Sequence, residues 1–142
     1  MIESILKQNK DLNNEENLIL IGALFVHAAR MDENYTDKEK AIILKALTDI
    51  SDKKSNDFDN ILKDAEKKES ESNQILEFTK KIKTFDKNSR LKILEVLWKI
   101  IYSDGISDMY ESTLMRRISG LLYINDKEAG DIKLSTINNK IT

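Results

Sequence analysis

Four carboxylates stand out by type and spacing: Asp32 with Glu39, and Asp104 with Glu111, the second pair repeating the interval of the first. Grouped aspartates and glutamates supply the oxygen ligands that a hard divalent cation such as calcium or magnesium takes, and a carboxylate pair is in principle also an acid–base couple. The remaining parts of acid–base or nucleophilic chemistry are missing. The chain has no cysteine, a single histidine at His27, and no phosphate-binding glycine loop or activated-serine arrangement. The expectation is a non-enzymatic protein with no catalytic residues and no organic cofactor. Asp32, Glu39, Asp104 and Glu111 are its candidate metal ligands.

The two members of each pair differ electrostatically. Glu39 and Glu111 fall in the first turn of a helix, where the positive end stabilises them, and each closes a capping box, with Thr36 in the first case and Asp108 in the second. Asp32 and Asp104 instead follow a helix at its negative end, so their charge needs an offset. One offset is an Asx-type turn in which the carboxylate accepts backbone N–H groups, a geometry that Gly105 accommodates by tolerating positive φ. The other is a divalent cation held where the two turns approach each other. An EF-hand loop is not the geometry, because its closing glutamate would fall on Ile43 or Met115.

The elements that must position these carboxylates are helices. There is no proline, glycine occurs only 4 times, and leucine and isoleucine dominate the apolar residues. Periodicity predicts a central helix over Glu16 to Met31, apolar on most faces, then a helix opened by Thr36 with the stripe Ile43, Leu44, Leu47 and Ile50. Ser51 to Ser55 ends it. A shorter helix carries Phe58, Ile61, Leu62 and Ala65 and runs into the polar segment Lys67 to Asn73, the best candidate for a linker. Ile75, Leu76, Thr79, Ile82 and Phe85 mark another helix, broken at Phe85 to Arg90.

The pattern then restarts with Leu91, Leu94, Leu97 and Ile101, the second acidic turn, and the stripe Leu114, Ile118, Leu121 and Leu122. Asn125 and Glu128 cap a final helix bearing Ala129, Ile132 and Ile137, and Ile2, Ile5 and Leu6 mark a short N-terminal one. A single shift of the chain places Asp32 on Asp104, Glu39 on Glu111, Ile21 on Ile93, Leu24 on Val96 and Ile42 on Leu114. The expected fold is all-α, a helical bundle of about seven helices with two pseudo-repeated helix–acidic turn–helix units. It forms a single domain over residues 1–142.

Composition narrows the partners. Lys+Arg 23 against Asp+Glu 25 gives a net charge of -2, interspersed along the chain, so nucleic acid is not expected. The start MIESILKQNK lacks a secretory pattern, and the longest apolar run, Leu18 to Ala29, falls well short of the roughly 20 residues of a membrane span. Without cysteine, a reducing, cytoplasmic setting is expected. A protein partner is the remaining class, its identity unspecified.

Leu97 to Leu122, LWKIIYSDGISDMYESTLMRRISGLL, resembles the tellurite-resistance TerB family, in which a helix ending in Asp-Gly precedes a glutamate and then an Arg-Arg-Ile run. Asp104, Gly105, Glu111, Leu114, Arg116, Arg117, Ile118 and Leu122 fall on that pattern, and Phe25 to Leu47 resembles its first half, with Asp32 and Glu39. The first turn departs at Glu33, where the family usually has glycine. The resemblance implies an all-helical bundle with two related halves, acidic turns proposed to bind metal ions, and a non-enzymatic part in tellurite or stress response. Relatives that join this domain to a chaperone-recruiting J-domain need a His-Pro-Asp motif, which a chain without proline lacks.

Three further residues are read conservatively. His27, on a largely apolar helix, is expected to be packed or half-exposed rather than a ligand or base. Trp98 is expected in the core or at an interface, with a pocket lining as the alternative. Of Arg116 and Arg117, one is expected to pair with a carboxylate of a neighbouring turn, the alternative being an anionic partner. The Lys53 to Lys54 and Lys80 to Lys83 patches read as solvated faces. Two functional readings stay open: a metal-responsive binding module, and a helical protein-interaction module whose acidic turns are structural caps.

Overall fold

A computed structural model of the chain describes residues 12, 14–32, 35–51, 57–72, 74–104 and 109–141, with side chains for all of these but 32, 104, 109–111 and 139–141. Seven α-helices run through the described residues: α1 (Glu15–Ala29), α2 (Asp37–Ile50), α3 (Phe58–Glu71), α4 (Leu76–Ile82), α5 (Lys87–Ile101), α6 (Met109–Leu121) and α7 (Asp126–Ile141). Three-residue 3-10 turns, Arg30–Asp32 and Tyr102–Asp104, extend α1 and α5, and no strand occurs among the described residues. The all-α bundle that the periodicity predicts is the fold.

α1 starts where Asn14 accepts a hydrogen bond from the Asn17 N–H at 3.2 Å, with Glu15 and Glu16 against the positive helix end. Leu18, Ile21, Leu24, Phe25 and Val26 are all fully buried, so the helix is wrapped on nearly every side by α2, α3, α4 and α5. Each such side chain contributes about 1.5–3 kcal/mol relative to exposure, which makes α1 a principal source of hydrophobic stabilisation. Its closest approach is to α3: a Cβ added at Gly22 would lie 2.9 Å from the Cβ of Ala65. Glycine there lets the two backbones cross.

α5 is the second inner helix, burying Ile93, Leu94, Leu97, Ile100 and Ile101 and packing on α1, α2, α6 and α7. Asp86 caps it by accepting from the Ser89 N–H and hydroxyl, at 3.3 and 2.6 Å. From its first turn Arg90 reaches out, donating to the carbonyls of Phe85 at 3.0 Å and Leu122 at 2.7 Å. That bond fastens the end of α6, where Tyr123 takes the left-handed conformation (φ 57) while the Ile124 and Tyr123 N–H groups return to the Ser119 and Gly120 carbonyls. Asn125 then caps α7 through the Glu128 N–H at 2.8 Å, as the sequence predicts.

The structure departs from the sequence reading at the polar segment Lys67 to Asn73, which is not a linker: α3 continues through Glu71. Glu69 explains this, because its carboxylate is drawn inward to Arg30 at 2.9 Å and His27 at 3.4 Å. Leu76, assigned to an apolar stripe, is 44% exposed, since α4 is short and turns Phe78, Thr79 and Ile82 inward instead. The break at Phe85 to Arg90 is narrow, as α5 is already helical from Lys87. The N-terminal helix of Ile2, Ile5 and Leu6, and the loop beyond Ser51, lie outside the described residues. No described helix is long and apolar enough to cross a membrane.

Candidate functional site

The two acidic turns are flanked by like elements. Each follows a helix and opens with a 3-10 turn whose last residue is the aspartate, Asp32 or Asp104, and Glu39 and Glu111 are each the third residue of the helix that follows. The side chains of Asp32, Asp104 and Glu111 lie outside the described part, as do Gly105, Asp108 and Glu33. Of the four carboxylates proposed as metal ligands, Glu39 is the one whose contacts are on view.

Glu39 is 7% exposed and closes the capping box that the sequence predicts. Its Oε1 accepts from the Thr36 N–H at 2.9 Å and the Thr36 hydroxyl at 3.1 Å, while the Thr36 Oγ1 accepts from the Glu39 N–H at 3.2 Å. That oxygen fits a cap better than a coordination shell. Among the described residues no group of three or more His, Cys, Asp or Glu side chains is placed to hold a metal ion.

One contact couples the two turns. The Lys38 ammonium donates to the Ser103 carbonyl at 2.6 Å, joining the start of α2 to the 3-10 turn that ends at Asp104. A lysine in the first turn of a helix opposes the dipole, and an ammonium on the last carbonyls of a preceding helix is favourable. Lys38 therefore gives up one helix end to serve another. Its misplacement beside Glu39 was the signal in the sequence, though nothing there named its acceptor.

Behind the first turn lies a cluster that sequence reasoning missed. The Arg30 guanidinium and the Lys40 ammonium approach the Tyr35 ring at 5.4 and 5.1 Å, and Lys40 also reaches Glu66 at 3.8 Å. Burial, together with the adjacent Glu66 carboxylate, pushes the Tyr35 hydroxyl above its ordinary pKa, so it stays neutral. With Arg30 on Glu69, this packing pins the first turn against α3. His27 is half-exposed beside Glu69, in the position expected for it.

Clefts open between helices of the described residues. One, of about 630 Å³, runs between α2 and α5 to Thr136 of α7, with Ile42, Ala46 and Val96 inside and Lys38, Lys45, Lys92 and Lys99 among its walls. Another, of about 520 Å³, lies between α5, α6 and α7 and is lined by Trp98, so Trp98 is both buried and a cleft wall. Neither Arg116 nor Arg117 forms an ion pair with a described carboxylate, and the turn carboxylates Asp104, Asp108 and Glu111, to which the expected pairing refers, lie outside the described side chains. Both are exposed on α6.

No curated protein and no solved structure gives a significant match to the chain. A family profile, tellurite resistance protein TerB, matches residues 18–134, a span that takes in both acidic turns and reaches from α1 into α7. The chain belongs to the TerB family.

Proposed function

We propose that this chain is a non-enzymatic binding protein of the tellurite or stress response, in which the two acidic turns hold one divalent cation between them, with Asp32 and Asp104 as principal ligands. The observation that carries this reading is proximity: the helix leaving the first turn lies beside the turn that ends at Asp104, with the Lys38 Nζ 2.6 Å from the Ser103 carbonyl. The hard-oxygen donor set favours calcium or magnesium. Glu39 holds the geometry of the first turn from the helix N-terminus. The internal duplication of helix, acidic turn and helix belongs to the same reading, because it places a like ligand in each half. A cytoplasmic setting accords with a chain that carries no cysteine.

A second reading is favoured by the Glu39 cap and the Lys38 ammonium, which supply by protein groups alone much of what a cation would supply. Here the turns are structural, and the chain is a helical protein-interaction module that presents the cleft between α2 and α5. Isothermal calorimetry with calcium and with magnesium separates the two. The cation reading expects saturable binding that Asp32→Asn with Asp104→Asn abolishes. No heat at millimolar ion, or unchanged affinity in the double variant, leaves the interaction reading, which expects capture of one dominant partner insensitive to chelator.

A further inference from the structure

The cleft between α5, α6 and α7 combines three observations. The first is an orphan donor. Trp98 is 5% exposed and lines the cleft, yet its indole N–H is buried with no hydrogen-bond partner among the described residues. A buried donor left unsatisfied is unfavourable, so its place on a cleft wall calls for an acceptor. Tyr102 stacks on the indole with centroids 5.4 Å apart and helps fix its orientation.

The second is positive charge with no counterion among the described residues. Arg116 and Lys133 line the same cleft, and neither pairs with a described carboxylate. The Lys133 ammonium instead lies 5.2 Å from the Trp98 ring centroid. Asp126 also borders the cleft, but it is exposed and sits in the first turn of α7, where the helix end offsets its charge. The third is Gly130. Glycine inside a helix is unfavourable relative to alanine, and a Cβ built here meets no atom within 4 Å, so no packing requirement accounts for it. Gly130 lines the cleft, where the absent side chain leaves its wall open.

We propose that this cleft binds a small organic anion whose carboxylate or phosphate oxygens are received by Arg116, Lys133 and the Trp98 indole N–H, its apolar body resting against Met115, Ala129 and Gly130. Charge-assisted hydrogen bonds from two cations give affinity and direction to the anionic head, and the buried indole N–H adds a donor that water does not compete for. The apolar walls select an organic body over a bare inorganic ion.

Trp98 is the sole tryptophan, so its indole N–H gives one NMR resonance that reports on this cleft alone. The full chain is titrated with phenyl phosphate and with phenylacetate at constant ionic strength, against sodium chloride and inorganic phosphate. Saturable movement of that resonance by an organic anion is expected. Arg116→Gln with Lys133→Gln weakens binding about tenfold or more, whereas Arg116→Lys retains most of it. Neither side chain is part of the hydrophobic core, so the double variant stays folded. Gly130→Ala raises Tm by about 3 °C and blocks the response. The proposal is overturned if the organic anions act no differently from chloride, if only inorganic phosphate acts, or if the double variant or Gly130→Ala responds like the parent chain.

Discussion

The Nζ of Lys38 lies 2.6 Å from the carbonyl oxygen of Ser103, so one side chain couples two turns far apart in sequence. The same ammonium stands next to the negative end of α5, so in the cation reading it competes with an ion drawn to Asp104. Lys38→Met is therefore expected to lower stability by no more than about 1 kcal/mol while tightening divalent-ion binding about threefold to tenfold. Paired thermal melts and calorimetry measure both. A variant that binds the ion more weakly would mean that Lys38 builds the site rather than competing with it.

Glu39 separates capping from coordination. Because glutamine also closes a capping box, Glu39→Ala is expected to cost about 1 kcal/mol and Glu39→Gln less than half of that. Urea unfolding gives the two values. If Glu39 acts as a cap, Glu39→Gln leaves cation affinity within about twofold, and a much larger loss would make its carboxylate a ligand.

At the crossing of α1 and α3, Gly22→Ala gains helix propensity but drives a Cβ to 2.9 Å from that of Ala65. The clash outweighs the propensity, and a net loss of about 1–3 kcal/mol is expected on denaturant unfolding. A gain of about 1 kcal/mol would show that the two helices separate without penalty.

Tyr35 predicts a pH dependence of known sign. Its folded-state pKa is raised above the ordinary tyrosine value, chiefly by burial and by Glu66. The stability it confers is thus fully present below the unfolded value of about 10 and is lost as pH rises from there toward the folded value. Tyr35→Phe removes that alkaline loss, so the stability difference between parent and variant should narrow or reverse between neutral pH and strong alkali. Parallel curves across that window would contradict the placement of Tyr35.

What was legible in the sequence was local. The Thr36–Glu39 box, the Asn125 cap and the stripe of Ile43, Leu47 and Ile50 are written within a few residues, and all appear as predicted. What depends on distant partners was not legible. The charged run after Ala65 read as a linker because Arg30, which draws Glu69 in and keeps α3 helical through Glu71, belongs to another helix. Arg90 likewise gave no sign of the Leu122 carbonyl it would fasten. Trp98 read as core because periodicity reports burial, and it is silent on whether a buried donor has an acceptor. The acidic pairs were found by their repeated spacing, and Lys38, which ties their turns together, was not.

The most direct test of the account is paramagnetic NMR with manganese as the divalent probe. Manganese added at a small fraction of the protein concentration to the isotope-labelled full chain should broaden amide signals around Asp32 and Asp104 together, at the same ion concentration, and calcium should restore both. Broadening at one turn alone, or none beyond that of exposed carboxylates elsewhere, would contradict a cation shared between the two turns.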